Sequence, residues 1–381
     1  MTEKERPTRA RWLNSTVLGI GVASLLADSG HEMATAALPA FLASLGASSA
    51  ILGVIEGLSD GFASFAKLFS GAYSDRLRSR KPLAVLGYFL TASGMASFAL
   101  ATNAWHVLAG RIAGWIGRGA RSPVKNVLLK EATTPDTYGR AFGLERAMDS
   151  AGAVLGPLVA LGLLATLGPR ATFALTLIPG VGAAVAIVFL VREKPHEPGP
   201  GRTLFAGVKE LPSAYKRFLA GVGVAGLGDY SNTLLILFAT QAWTPRFGAG
   251  RAATFAMGGY VGYNVVYTIS CWIAGALADR FPKQLVLSFG YALAVVPAVA
   301  LMIPGDSIAK FVVAFGMSGL YMGFWETVES TTAATLLPAK NSGMGFGVLA
   351  TVNGVGDLAS SVLVGALWAG SPQLAMGFVI A

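Results

Sequence analysis

The stretch Gly71-Ala-Tyr-Ser-Asp75-Arg76-Leu-Arg-Ser-Arg80-Lys81 closes a long apolar run and returns, 204 residues later, as Gly275-Ala-Leu-Ala-Asp279-Arg280. In each copy a glycine is followed four residues on by an acid and then a base. Working outward, Phe142-Gly143 and Phe346-Gly347 keep the same offset, as do Gly152 and Gly356, while Asp28 and Asp229 lie 201 apart. One spacing held within a few residues across three pairs of segments marks an internal duplication.

What is duplicated is a set of membrane-length helices. Of the 381 residues 54% are hydrophobic and only 13% charged, with mean hydropathy +0.59. A soluble chain of this size carries about a quarter charged residues. A bilayer core about 30 Å thick asks for roughly 20 apolar residues per helix. Runs of about that length fall at 14–42, 50–74, 83–101, 104–129, 139–167 and 171–191, then 216–242, 252–277, 284–303, 307–337 and 343–369. A twelfth begins at Pro372 and reaches Ala381, too short to span, so the expectation is an incomplete last helix whose remainder is missing from the sequence. The fold class expected is an all-α polytopic membrane protein. It is divided as residues 1–191, a connecting loop 192–215 and residues 216–381, two pseudo-symmetric six-helix halves.

The net charge of +9 is distributed as a membrane protein distributes it, in alternate loops, and not as a nucleic-acid-binding domain. One set of loops holds nineteen Lys and Arg residues. These include Lys4, Arg6, Arg9 and Arg11, the Arg76–Lys81 cluster, and six between Arg192 and Arg217. The other set holds four, Arg170, Arg246, Arg251 and Lys310. The positive-inside rule then places the N-terminus and the central loop in the cytoplasm, in a membrane of the bacterial inner type. Cys271 is the single cysteine and sits within an apolar run, which excludes an intramolecular disulfide and a cysteine metal site. No cofactor is called for. There is no GxxxxGK[ST] loop, so ATP is not the expected energy source.

At these residues the chain resembles the major facilitator superfamily. Gly71 to Lys81 is similar to that family's signature loop between helices two and three, with Arg78 where a glycine is usual. Arg111 resembles the arginine of a second motif in helix four. Gly152-Ala-Val-Leu-Gly156-Pro157 resembles a helix-five motif associated with antiporters and exporters. The resemblance covers essentially the whole chain and implies alternating access. In it Asp75 accepts hydrogen bonds from the N-terminus of a second-half helix, and Arg76 and Arg80 hold neighbouring acids or carbonyls. Gly71, Gly275, Asp279 and Arg280 are then gating positions too.

Ionisable residues inside the helices supply the candidate site. Each costs at least ~2.5–3.5 kcal/mol at the bilayer centre unless paired or hydrated, so together they must line a cavity or pair with one another. In helix four, Arg111, Arg118, Arg121 and Lys125 fall within an arc of about 80°. Helix one presents Asp28, His31 and Glu32 on one face. Counting residues down from the helix ends puts Glu32 level with Arg111, and Asp28 level with Arg118. A proton and cargo site and a structural ion-pair network both fit that pattern. His31 is a candidate relay or a hydrogen-bonded core histidine, and the set is too sparse for a metal.

Asp60 in helix two is a relay or a structural partner. Glu56 lies nearer the outer end. Glu145, Arg146 and Asp149 in helix five either pair locally with the helix-four bases or take part in transport, the pairing being favoured. In the second half, Glu326 and Glu329 fall at the repeat positions of Ser122 and Lys125, and Asp229 and Asp357 add two more acids. Glu326 and Glu329 either bind cargo or bridge to Arg121 and Lys125 across the halves.

The function this implies is proton-coupled secondary transport, most directly export of a small organic molecule by antiport, acting as a monomer. Proton symport of an organic or inorganic anion is the alternative, suggested by the basic stripe. A membrane enzyme or lipid-handling protein is the remaining class. It fits poorly, because the charges surround the midplane of both halves and do not cluster at one surface.

Overall fold

The computed structural model describes residues 12–46, 49–194, 198, 204–230 and 232–380. The basic residues at 4, 6, 9 and 11 and Arg202 lie outside these, and so does the side chain of Glu56. The described residues form helices and connecting turns, with no strand among them.

The first six spans are α1 (Ser15–Ser44), α2 (Ser49–Ser74), α3 (Lys81–Ala96), α4 (Ala104–Glu131), α5 (Tyr138–Leu175) and α6 (Leu177–Leu190). Local chemistry fixes their ends. The Asn14 carboxamide accepts from the backbone N–H of Thr16 and Val17 at 3.0 Å each, and Asn103 caps α4 through Trp105 and His106 in the same way. α5 turns sharply at Gly168 (φ 76°), just before Pro169, so helix five ends near Leu167 as the apolar pattern predicts. Pro123 inside α4 leaves the carbonyl of Gly119 without its helical donor, and Ser70 of α2 supplies one at 3.2 Å.

The remaining helices are α7 (Leu204–Lys209), α8 (Ser213–Gly226), α9 (Asn232–Phe247), α10 (Ala249–Arg280), α11 (Lys283–Leu293), α12 (Val295–Met302), α13 (Ile308–Leu336), α14 (Ser342–Gly370) and α15 (Pro372–Ile380). Two spans read from the sequence as continuous are broken. Helix seven, expected over 216–242, is α8 and α9 separated by a stretch containing Gly228, Asp229 and Tyr230. Two glycines in three residues, Gly226 and Gly228, weaken the helix there. Helix nine is α11 and α12, joined at Ala294. Pro297 removes the donor that the Leu293 carbonyl would have used.

α1 to α6 pack on one another and α8 to α15 pack on one another. The two groups meet along α2 with α14 and α5 with α10. Six of the described helical segments are long and apolar enough to cross a bilayer. α4 is the least apolar of the long helices because it carries the four bases. Large apolar side chains such as Phe65, Phe69, Phe89, Phe189 and Val312 point outward, as the surface of a membrane bundle requires.

Candidate functional site

The two copies of the repeated loop make one reciprocal contact. Asp75, just past α2, accepts hydrogen bonds from the backbone N–H of Gly343 and Met344 at the start of α14, both 2.8 Å. Asp279, near the end of α10, accepts from Gly139 at 2.7 Å and Arg140 at 3.1 Å, at the start of α5. Each helix N-terminus offers otherwise unused donors and a favourable dipole to a carboxylate. The backbones approach closely enough that a Cβ added at Gly71 would collide with Gly343, and one at Gly275 with Gly139.

Side chains reinforce the contact differently on the two sides. Arg140 Nε gives Asp279 a third bond at 2.8 Å. Arg80, fully buried, reaches Glu131 at 2.6 Å and Asp75 at 3.4 Å. Lys130 adds bonds to the Leu337 carbonyl at 2.6 Å and Ser342 at 2.8 Å. Burial pushes the Asp75 carboxyl above its usual range, against the opposing pull of the Met344 and Gly343 N–H groups and of Arg80. Arg76 and Arg280 are exposed at this end.

Fourteen residues along the same helix faces the halves have parted. At Gly57 an added Cβ meets nothing within 4 Å, and Val261, its repeat partner, is exposed. The space between the halves is therefore closed at the Asp75 end and open at the other.

Between those levels lies an ionisable centre. Arg118 Nη2 is 3.2 Å from Asp28 Oδ1, the pairing that depth counting expects. His31 is buried and lies 3.7 Å from Glu32. Arg111 covers the face of Trp115 at 3.9 Å and donates to Thr35 at 3.3 Å. Trp115 also touches His31, with ring centroids 4.4 Å apart, and its indole N–H donates to Asp60 at 2.6 Å. Asp60 itself is exposed to the cavity. Gly152 and Gly156 of the helix-five motif press against helix one at these acids. A Cβ at Gly152 would lie 2.5 Å from the Leu25 carbonyl and 3.1 Å from Asp28 Cβ, and one at Gly156 2.7 Å from Glu32 Cβ. Pro157 follows within the same helix.

Of the two alternatives for Glu326 and Glu329, the bridges to Arg121 and Lys125 are not formed in this state. Lys125 turns to its own half, bonding Glu145, with Asp149 at 4.0 Å and Ser24 at 3.2 Å. Arg121 stacks over Tyr88 at 4.3 Å. Glu329 accepts from Trp325 and Asn353 of its own half, both 2.5 Å. The residue that crosses is Arg146, which reaches Glu326 at 3.5 Å and Glu145 at 3.7 Å. Tyr267 donates to the same Glu326 oxygen. A base on α5 is simply nearer the second half, along the α5–α10 seam, than the helix-four stripe is.

The second-half wall carries Tyr260, Tyr263 and Tyr267 at helical spacing on α10, with Asn232 donating to Tyr263 at 3.0 Å. The Ser360 hydroxyl donates to the backbone carbonyl of Asp229, in the break of helix seven, and lies 3.2 Å from that of Asp357 in α14, which brings the two acids together. Lys67 of α2 is a charged neighbour of Asp357. Sequence reasoning missed Lys130, Glu131, Gly139, Arg140 and Gly343 as members of the contact between the halves. The repeat offset was the signal for the glycines, since 139 and 343 are 204 apart. Among the described residues no group of three or more His, Cys, Asp or Glu is placed to hold a metal ion.

A family model, Major Facilitator Superfamily, matches residues 20–361. The chain belongs to the Major Facilitator Superfamily. An uncharacterized MFS-type transporter of Methanocaldococcus jannaschii is 26% identical over 378 residues, covering 96% of this chain and 91% of that protein. The multidrug resistance protein MdtH of Cronobacter sakazakii is 32% identical over 148 residues, 39% of this chain and 35% of MdtH. Among solved structures, the human organic anion transporter MFSD10 superposes with TM-score 0.76 at 18% identity, covering 96% of this chain and 97% of the other. At that identity the likeness speaks for the fold alone. The fold is that of MFS transporters, and the chain is an integral membrane transporter.

Proposed function

We propose that this chain is a proton-coupled secondary transporter that exports a small organic molecule in exchange for protons. Two halves, residues 1–191 and 216–381, rock about the ionisable centre, with the 192–215 connection and the N-terminus in the cytoplasm. The abundance of Lys and Arg at the Asp75 end supports placing that end inside. The described state is then open to the outside.

The observation that carries proton coupling is the pairing of two acids, Asp229 and Asp357, brought together where the Ser360 hydroxyl meets the backbone carbonyls of both. Two neighbouring carboxyl groups resist ionising together, so one of them retains a proton that the other can share. Asp357 is exposed to the cavity, so water delivers and removes that proton. On the facing wall Asp28 is paired with Arg118. Cargo that engages these carboxyl groups as a cation or hydrogen-bond donor displaces the proton, and a proton displaces the cargo, which is the logic of antiport. The partial match to MdtH and the Gly152, Gly156, Pro157 motif support the outward direction.

The test is reconstitution in liposomes loaded with a pH dye, with organic cations such as ethidium, zwitterions and organic anions added outside. Antiport gives protein-dependent internal alkalinisation as a compound enters. Asp229→Asn and Asp357→Asn abolish that signal while compound exchange persists. A second reading, symport of an anion, draws on Arg111 and Arg118 flanking Trp115 at 3.9 and 6.0 Å. It gives internal acidification instead, with an anion from the panel.

A further inference from the structure

A groove of about 540 Å³ lies on the outer surface where α3 meets α6, away from the central cavity. Its walls are Val85, Leu86 and Phe89 of α3 and Val188 of α6. Leu86, Phe89 and Val188 are 59%, 53% and 42% exposed, so in a membrane this surface meets acyl chains. From Lys81 to Phe89 the groove descends eight residues, ~12 Å along the helix axis. One leaflet of the hydrocarbon core is about 15 Å deep, half of the roughly 30 Å core. The groove thus runs through most of one leaflet and ends at the Asp75 side of the bilayer.

The polar end is strongly basic. Lys81 Nζ donates to the carbonyls of Val188 at 2.6 Å and Val191 at 2.8 Å, which fixes the ammonium at the mouth. An ammonium has three N–H donors, and these carbonyls take two. Arg78, three residues before Lys81, and Arg192 and Lys194, which follow the Val191 carbonyl that Lys81 binds, are exposed. The acid of this patch, Glu193, is committed to the start of α3. It accepts from the N–H of Arg80 at 2.5 Å, the Ser79 hydroxyl at 2.5 Å and the N–H of Lys81 at 3.2 Å. An apolar channel of leaflet depth with an oriented ammonium and excess positive charge at its headgroup end is complementary to a lipid bearing an anionic headgroup.

We propose that the α3–α6 groove is a binding site for an anionic phospholipid, with one acyl chain along Val85, Leu86 and Phe89 and the phosphate at Lys81. The site is separate from the transport centre, so its failure leaves the transport reading untouched.

The test is native mass spectrometry of the purified full chain titrated with phosphatidylglycerol, with phosphatidylcholine of the same chains, and with glycerol 3-phosphate. Phosphatidylglycerol is retained at least tenfold more tightly than phosphatidylcholine. Each Lys or Arg near a headgroup contributes roughly 1 kcal/mol, about fivefold in affinity. Lys81→Gln therefore weakens phosphatidylglycerol about fivefold and Lys81→Arg does not. Because Lys81 also caps α6, the double variant Arg78→Gln/Lys194→Gln removes charge without touching that cap, and it lowers the same affinity. Leu86→Trp, which fills the groove, weakens binding with every charge in place. Equal affinity for the two lipids overturns the proposal. So does an unchanged affinity in Leu86→Trp, or displacement of the lipid by equimolar glycerol 3-phosphate.

Discussion

Asp75 and Asp279, 204 residues apart, make the same contact in opposite directions. Each carboxylate takes two consecutive backbone N–H groups at the start of a helix in the other half, Gly343 and Met344 for Asp75, Gly139 and Arg140 for Asp279. Those partners are themselves 204 apart. The duplication therefore preserved an interface between the halves as well as two loops, and it holds one end of the bundle shut.

The two carboxylates act as independent clamps of similar strength. A hydrogen bond to a charged acceptor contributes about 1.5–3 kcal/mol, and its loss leaves buried N–H groups unsatisfied. Asp75→Ala raises amide exchange at the start of α14 by tenfold or more and leaves the start of α5 unchanged. Asp279→Ala does the converse. Hydrogen exchange read by mass spectrometry on peptides spanning 338–348 and 134–144 checks this, and equal protection in both variants contradicts it.

Closure at this end responds to pH through Asp75. Its carboxyl is raised in the closed state by burial, and it returns to the ordinary range once the halves part and water enters. The closed state therefore binds the proton more tightly. Its proton-linked stabilisation is complete below the ordinary carboxylate range and is lost as pH rises through the raised value. Exchange at Gly343 and Met344, corrected for intrinsic rates, slows as pH falls from 8 toward 5, and that dependence is weaker in Asp75→Ala.

Gly152 and Gly156 set the distance between helix five and the acids of helix one. A methyl at either site meets the α1 backbone at 2.5–2.6 Å, so the helices must separate. Overpacking of this kind costs about 1–3 kcal/mol. Gly152→Ala and Gly156→Ala lower the melting temperature in detergent and reduce transport. Gly162→Ala, on the same helix but facing open space, changes neither.

Asp28 and Arg118 form a pair whose halves depend on each other. Asp28 is buried and Arg118 only partly so; removing Arg118 leaves a buried carboxylate uncompensated, at up to about 3–5 kcal/mol, and removing Asp28 costs less. Asp28→Asn and Arg118→Gln each lower stability, and the double variant recovers much of it. None of the three regains proton-coupled transport, measured as pH-dye response in liposomes. Recovery of coupling in the double variant would show the pair to be structural only.

The helical architecture, the repeat and the Asp75 loop were legible because hydropathy, charge asymmetry and a fixed offset are properties of the chain itself. The Asp28–Arg118 contact was legible as well, since depth follows from counting residues at fixed rise. The partners of Lys125 and Glu326 were not. Four bases on one face of α4 and one on α5 compete for the same acids, and the outcome depends on which helices touch. Arg146 won Glu326 because α5 lies on the seam between the halves, a tertiary fact with no local signature. The break in helix seven was hidden for another reason. Averaged hydropathy stays high through Gly228 and Asp229, although two nearby glycines weaken the helix there.

The central claim is that the two ends of the bundle open in alternation. Double electron–electron resonance tests it most directly, in a background with the buried Cys271 replaced by serine. One label pair spans α2 and α14 at the Asp75 end and another spans α2 and α10 at the opposite end. Asp75→Ala/Asp279→Ala should lengthen the first distance and shorten the second, relative to the parent. Both distances changing in the same direction, or neither changing, would contradict the account.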